Sequence, residues 1–480
     1  MNRITTTFKQ FPLTFWVANT IELTERWAYY GFFMLFANYL TGSSDVGGLE
    51  FTQIQKGYIM GVGTGILYFL PVLTGSIADK YGYKRILFIS FTIYTSAFIL
   101  LPLFSTFAGV FAMYIYLAVG AALFKPVISA TIAKTTNDST SSIGFGIFYM
   151  MVNIGAFFGP MVTLLFKSNY ILVFYISAGI IALNFVLLLF YKEPGRVKYN
   201  ESLSTTLQHV FKNIWIVLLD YKFVIFLLIV AGFWTMYFQL FFTLPVFITQ
   251  WVDTSNMYDF FMFHAPIIAE NYGKHGQMES EFITNFDALF IIIFQIFIST
   301  LVMKRKPINT MFVGFVIASI GMALTLLTQN VIFTLAAMLV FALGEMAASP
   351  KITEYIGKIA SPDKKALYMG YSFIPVFIGT IFAGYISGAV YQRMSDKHAL
   401  LVKEVNLRGL NISSELSQNE YFAAAADKMN MSNNELTSYL WNTYHPSNIW
   451  IVIISIGLMS ALFLWIYNRF LLKYNENKSN

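Results

Sequence analysis

The chain has 480 residues, of which 57% are hydrophobic and only 12% charged, against about 25% charged in soluble globular domains. That balance excludes a soluble globular protein and points to a polytopic, all-α membrane protein. The formal charge of +6 follows from the topology below and implies no nucleic-acid partner, and the absence of cysteine excludes disulfides and thiol chemistry.

Apolar runs long enough to cross a hydrocarbon core of about 30 Å fall at 13–40, 54–78, 86–104, 108–133, 143–166, 170–191, 223–250, 283–303, 308–328, 331–350, 367–391 and 448–472. Twelve spans are expected, in an N-terminal six-helix bundle (1–191), a basic linker (192–221) and a C-terminal six-helix bundle (222–480). Of the 31 Lys and Arg, 21 lie on the side of the termini, eight on the other and two, Arg26 and Lys125, within spans. The positive-inside rule therefore puts both termini in the cytoplasm. Residues 1–12 read as a short cytoplasmic lead rather than a cleavable signal.

The first span carries Glu22, Glu25 and Arg26. At about 100° per residue they share a face with Tyr29, with Tyr30 at its edge, while Leu23, Thr24, Trp27 and Ala28 take the other side. Intramembrane charge is costly, so these groups are expected to face one another across a wet cavity. Two carboxylates beside one guanidinium leave an excess negative charge that a proton can remove. In the second span Gly57, Gly61, Gly63 and Gly65 allow close helix approach, and Tyr68 follows. The turn Gly75-Ser76-Ile77-Ala78-Asp79-Lys80-Tyr81-Gly82-Tyr83-Lys84-Arg85 reads as a cytoplasmic lock. Gly82 makes the turn, and Asp79 pairs with Arg85 or sits at a neighbouring helix N-terminus.

Lys125-Pro126 lies too deep in the fourth span to snorkel and is expected in the cavity of Glu22 and Glu25. Asn153 in the fifth span either bonds a neighbouring helix or meets a ligand. The linker's apolar patch Ile214–Leu219 is expected on the membrane surface. Gly120, Pro126, Ile154, Gly155 and Phe158 repeat 224 residues later as Gly344, Pro350, Ile378, Gly379 and Phe382, so repeated halves with a site at their interface are expected. In the second half the cavity receives Trp234 and Glu345, the latter with Lys351 near enough to neutralise it. Asp287 is either a cavity carboxylate or a helix cap. A basic wall facing an acidic one suits a zwitterion. His264 and His275, in the loop 251–282, form no metal-ligand pattern. The loop 392–446 holds two S-x-x-E capping boxes, at Ser417 and Ser432, and is expected to form two small helices.

The run Glu22-Leu23-Thr24-Glu25-Arg26-Trp27-Ala28-Tyr29-Tyr30, Gly31, the Asp79 turn, Lys125-Pro126 and Phe148-Tyr149-Met150-Met151-Val152-Asn153-Ile154-Gly155 together resemble the proton-dependent oligopeptide transporter family of the major facilitator superfamily. The resemblance implies a plasma-membrane symporter, not an enzyme. It would import di- and tripeptides or peptide-like zwitterions by alternating access, as a monomer among lipids, with the proton as coupling ion and no other cofactor. It assigns proton coupling to Glu22, Glu25, Arg26 and Lys125, and the peptide carboxylate to Arg26 and Lys125. Tyr29, Tyr30, Tyr68 and Asn153 would line the cavity, with Glu345 at the peptide amine. The chain departs from the family at Phe33 and Phe238, where a charged pair is usual, at Asp287-Ala288 in place of Asn-Pro, and at Ser372 in place of Trp. Those departures leave open a different small organic solute on the same fold.

Overall fold

The computed structural model describes residues 10–137, 140–195, 219–325, 329–359 and 371–472, with isolated helical positions between 205 and 215. Much of the apolar patch in the linker lies outside them. The first helical group comprises α1 (Leu13–Thr41), α2 (Gln53–Phe69), α3 (Pro71–Tyr81), α4 (Tyr83–Leu100), α5 (Phe107–Lys134), α6 (Ser141–Leu164) and α7 (Tyr170–Phe190). The second includes α8 (Tyr221–Tyr237), α9 (Leu244–Trp251), α10 (Phe286–Val302), α11 (Pro307–Leu324), α12 (Val331–Ile359), α13 (Ile374–Tyr385), α14 (Lys397–Leu407), α15 (Gln418–Lys428), α16 (Asn433–Tyr444) and α17 (Ile449–Ile466), with shorter helices between them.

Among the described residues ten helices are long and apolar enough to cross a membrane, or eleven when the bent α2–α3 pair is one span. Helix α1 is 29 residues long, but its charged cluster keeps it out of that apolar set. The run expected as one span at 54–78 is broken: α2 and α3 meet at 43° at Pro71, which brings no N–H and bends a helix. The run 223–250 is likewise broken, at Phe238 and at Thr243, into Tyr221–Tyr237, Gln239–Phe242 and Leu244–Trp251. The loop expected to hold two small helices holds three. Both S-x-x-E boxes form, and α14 precedes them, capped by Asp396, whose side chain accepts from the Ala399 N–H; Asp396 lacks the reciprocal Glu that marks the other two starts.

The 224-residue repeat reappears as packing. A Cβ on Gly120 would meet the α4 backbone at Tyr94, and one on Gly344 the α11 backbone at Ala318. Gly155 lies against Arg26 on α1, and Gly379 against Trp234 on α8. Arg26 and Trp234 thus occupy equivalent places in the two groups. Only residues without a side chain let these backbones come so close.

The groups meet at the face that carries the loops 251–280 and 392–446, called distal here. Gly57 and Gly61 lie against Gly384 and Gly388, where an added Cβ would fall 2.2–2.9 Å from backbone atoms. Lys56, in the first turn of α2, is fully buried there and donates to the Phe242 carbonyl at 2.8 Å. Asn38 donates to Thr249, Ser280 and Glu281, and Lys167 pairs with Glu279 at 2.7 Å and Glu281 at 2.6 Å. Burial opposes the Lys167 charge, but Glu281 and Glu279 outweigh it and hold its ammonium above the usual range. Helix α15 completes the closure: the Gln418 N–H donates to Glu50 and the Asn419 N–H to Ser43 of the first group's loop.

Candidate functional site

Midway along α1, helical spacing brings Arg26 under both carboxylates. Its Nε donates to Glu25 at 2.5 Å and lies 3.3 Å from Glu22. Glu25 is fully buried and also accepts from the Tyr94 hydroxyl at 3.0 Å. The guanidinium lies over Tyr29 and Tyr30, at 5.4 and 5.9 Å. Lys125 reaches the same space from α5, its Nζ 4.1 Å from the Tyr68 ring, with Arg26, Glu25 and Glu22 as its charged neighbours. This is the basic wall.

The opposite wall comes from α8, α10 and α12. Ile291, Ala342 and Met346 pack α10 on α12, one turn from Asp287 and next to Glu345. Asp287 does not cap its helix: Asn285 is the N-cap residue and makes no side-chain capping bond. Asp287 is buried in the first turn, with Oδ1 unpartnered, and Glu345 has a buried, unpartnered Oε2. Glu345 faces Asp287 and the Tyr237 hydroxyl. Lys351 does not neutralise Glu345; it pairs with Glu354 at 2.7 Å. Trp234 stands beside Tyr237 with its indole N–H unpartnered. Tyr30 bridges the walls, with Arg26 and Glu345 among its charged neighbours. Tyr149, 47% exposed, lies near Glu345 and Asp287.

The other expected residues fall as follows. Asn153 donates to the Tyr149 carbonyl of its own helix at 2.8 Å rather than to a neighbouring helix. Phe33 and Phe238 are both buried and are joined through Phe241 and Phe242, with ring centroids 5.5–6.3 Å apart. In the Asp79 turn Gly82 has φ 98°, a conformation suited to glycine. Asp79 accepts from the Tyr83 hydroxyl at 2.7 Å, and the α4 start is held instead by Glu193, which accepts from the Tyr83 N–H at 2.9 Å. Arg85 is exposed.

Sequence reasoning missed Tyr94, Tyr237, Lys56 and the Lys167–Glu281 pair. A mid-span Tyr is common, and a pair separated by 114 residues leaves no local spacing to read. A cavity of about 850 Å³ also lies on the distal face, lined by Gln250, Asp253, Gln277, Lys397 and Asn434. Its Thr254, Gln277 and Asp253 bond one another, whereas the chamber between the two walls holds unpartnered charge, so the site is assigned to the chamber.

Residues 15–384 match the sequence profile of the Major Facilitator Superfamily. The chain belongs to that superfamily. With at least ten apolar helices among the described residues, this superfamily member is a multi-pass integral membrane protein and a transporter rather than an enzyme. It is 25% identical over 305 residues to the uncharacterized MFS-type transporter YqjV of Bacillus subtilis, covering 62% of this chain and 68% of that one. It is 29% identical over 167 residues to dipeptide and tripeptide permease A of Escherichia coli, covering 34% of this chain and 32% of the permease. The match thus spans about a third of the permease. In fold it is similar to a POT family transporter solved with 5-aminolevulinic acid (TM-score 0.70, 17% identity, 96% of this chain and 99% of that one). It is also similar to the nucleoside transporter NupG (TM-score 0.67, 14% identity, 95% and 100%).

Proposed function

We propose that this superfamily member is a proton-coupled symporter that imports small peptides or peptide-like zwitterions by alternating access. One observation carries the reading: Arg26 is held between Glu22 and Glu25 beside Lys125, opposite a wall of Asp287 and Glu345. A substrate carboxylate competes with Glu22 for Arg26 and Lys125. Protonating Glu22 frees those bases for the substrate, so proton and substrate binding are linked. The amine end meets the acidic wall.

In this reading α1 also crosses the bilayer, which brings the spans to twelve in two six-helix bundles joined at 192–221. Both termini lie in the cytoplasm, the distal face is outside, and the described conformation is closed outside. The transporter acts as a monomer, and the proton is its sole coupling partner besides substrate. A second reading, another organic solute on the same fold, is favoured by the apolar Phe33–Phe241–Phe238 contacts where the family resemblance implies a charged bridge.

The test is uptake of labelled dialanine into liposomes holding the purified protein, with and without an inward proton gradient. Gradient-driven uptake is expected in the native protein. Glu22→Gln is expected to lose it by at least about tenfold while retaining counterflow, since the permanently neutral side chain still releases Arg26. Absence of both gradient uptake and counterflow in the native protein rejects the peptide reading.

A further inference from the structure

The chamber holds more negative charge than a zwitterion can balance. Four carboxylates, Glu22, Glu25, Asp287 and Glu345, face two bases, Arg26 and Lys125. The two acids on α1 are matched by those bases at ion-pair and chamber range. The two on the second group are matched by no base among the described residues. Lys351, the base nearest in sequence to Glu345, is engaged with Glu354 and the Met303 and Arg305 carbonyls. Asp287 is 5% exposed and has a buried oxygen without a partner, as does Glu345. A buried carboxylate oxygen left unpaired costs about 1–3 kcal/mol or more, so the pair is built to receive donors.

We infer that Asp287 makes the acidic wall a site for two cationic centres. The favoured substrates would be peptide-like molecules with a basic group next to the amine end, and Asp287 would be the residue that sets this preference. The inference rests on the peptide reading above for the identity of the cargo, and on the charge count for its charge. The balance closes: one proton on Glu22 removes one of the two excess negative charges, and a substrate with two cationic groups and one carboxylate removes the other. A loaded chamber of that composition is neutral, and moving it against the opposite gate carries no buried net charge. A neutral dipeptide leaves one carboxylate of the pair uncompensated, unless that carboxylate keeps a proton of its own.

Two measurements separate this inference from the peptide reading. In counterflow competition, lysyl-alanine is expected to displace labelled substrate at least about tenfold better than dialanine, and Asp287→Asn to bring the ratio toward one. In thermal unfolding of the purified protein in detergent, the dication lysinamide is expected to protect at lower concentration than the monocation alaninamide, with the difference lost in Asp287→Asn. If both dipeptides exchange equally and both amides protect equally in the native protein, the acid pair holds a proton and the inference is overturned while the peptide reading stands. If neither dipeptide exchanges yet lysinamide protection depends on Asp287, the peptide reading falls and the dicationic site stands. The native-protein ratios decide the matter even if Asp287→Asn does not fold.

Discussion

Arg26 is the residue on which the chamber depends, because it serves two carboxylates at once and Glu25 is wholly removed from solvent. Removing one partner of a buried ion pair leaves an uncompensated charge and costs about 3–5 kcal/mol. Arg26→Met is therefore expected to lower thermal stability in detergent by an amount of that order. The loss should be smaller in mildly acidic than in alkaline buffer, because protonating Glu22 removes part of the uncompensated charge. A stability equal to the native protein's at alkaline pH would show that the cluster contributes nothing to the fold. This cluster was legible in the sequence because three charges within five residues of an apolar run have few places to go. Tyr94, which binds Glu25 from α4, was not: a tyrosine in a span reads the same whether it meets a carboxylate or a lipid. Glu345 was legible as a mid-span acid, but its pairing with Asp287 and Tyr237 depends on how α8, α10 and α12 converge.

At the scale of elements, closure between α2 and α13 depends on the absence of side chains. A Cβ on Gly57 would lie 2.2 Å from the Gly384 carbonyl oxygen, a contact that requires the backbones to part. Gly57→Val is expected to hold the distal faces apart and to cut transport at least about tenfold, since rocking that cannot close one side cannot complete a cycle. Spin labels at Ser44 and Asn256, both exposed on the distal face of a chain without native cysteine, would report it. A longer distance distribution supports the assignment, and an unchanged one with normal transport removes the glycines from the gate. The glycine spacing was visible in the sequence as a licence for close packing, although nothing in it named the partner helix. The S-x-x-E starts of α15 and α16 were readable for a different reason: a capping box is satisfied within four residues. The bend at Pro71 and the third loop helix escaped, the first because hydropathy continues across the proline and the second because Asp396 lacks the reciprocal Glu.

Across the whole molecule, polar contacts join the two groups at the distal face beside the glycine packing of α2 and α13. Lys167 comes from the first group and Glu281 from the second. Glu281 is fully buried, so its charge is tolerable only while Lys167, Asn38 and Ser280 surround it. Lys167→Ala leaves that carboxylate buried without its cation, which raises the closed conformation by about 3–5 kcal/mol. A shift of about 5.5 kcal/mol carries a two-state equilibrium from 1:99 to 99:1, so the substitution is large enough to move most molecules out of the closed state. The Ser44–Asn256 label pair is therefore expected to shift to longer distance in Lys167→Ala. Adding Glu281→Gln is expected to reverse much of that shift, because the neutral amide keeps its hydrogen bonds and removes the stranded charge. If the double variant stays as open as the single one, it is the loss of the lysine itself, not the stranded carboxylate, that opens the face, and the electrostatic account of the gate fails. Neither residue could be nominated from the sequence, because each reads there as a loop charge. Their contact exists only where the two groups meet.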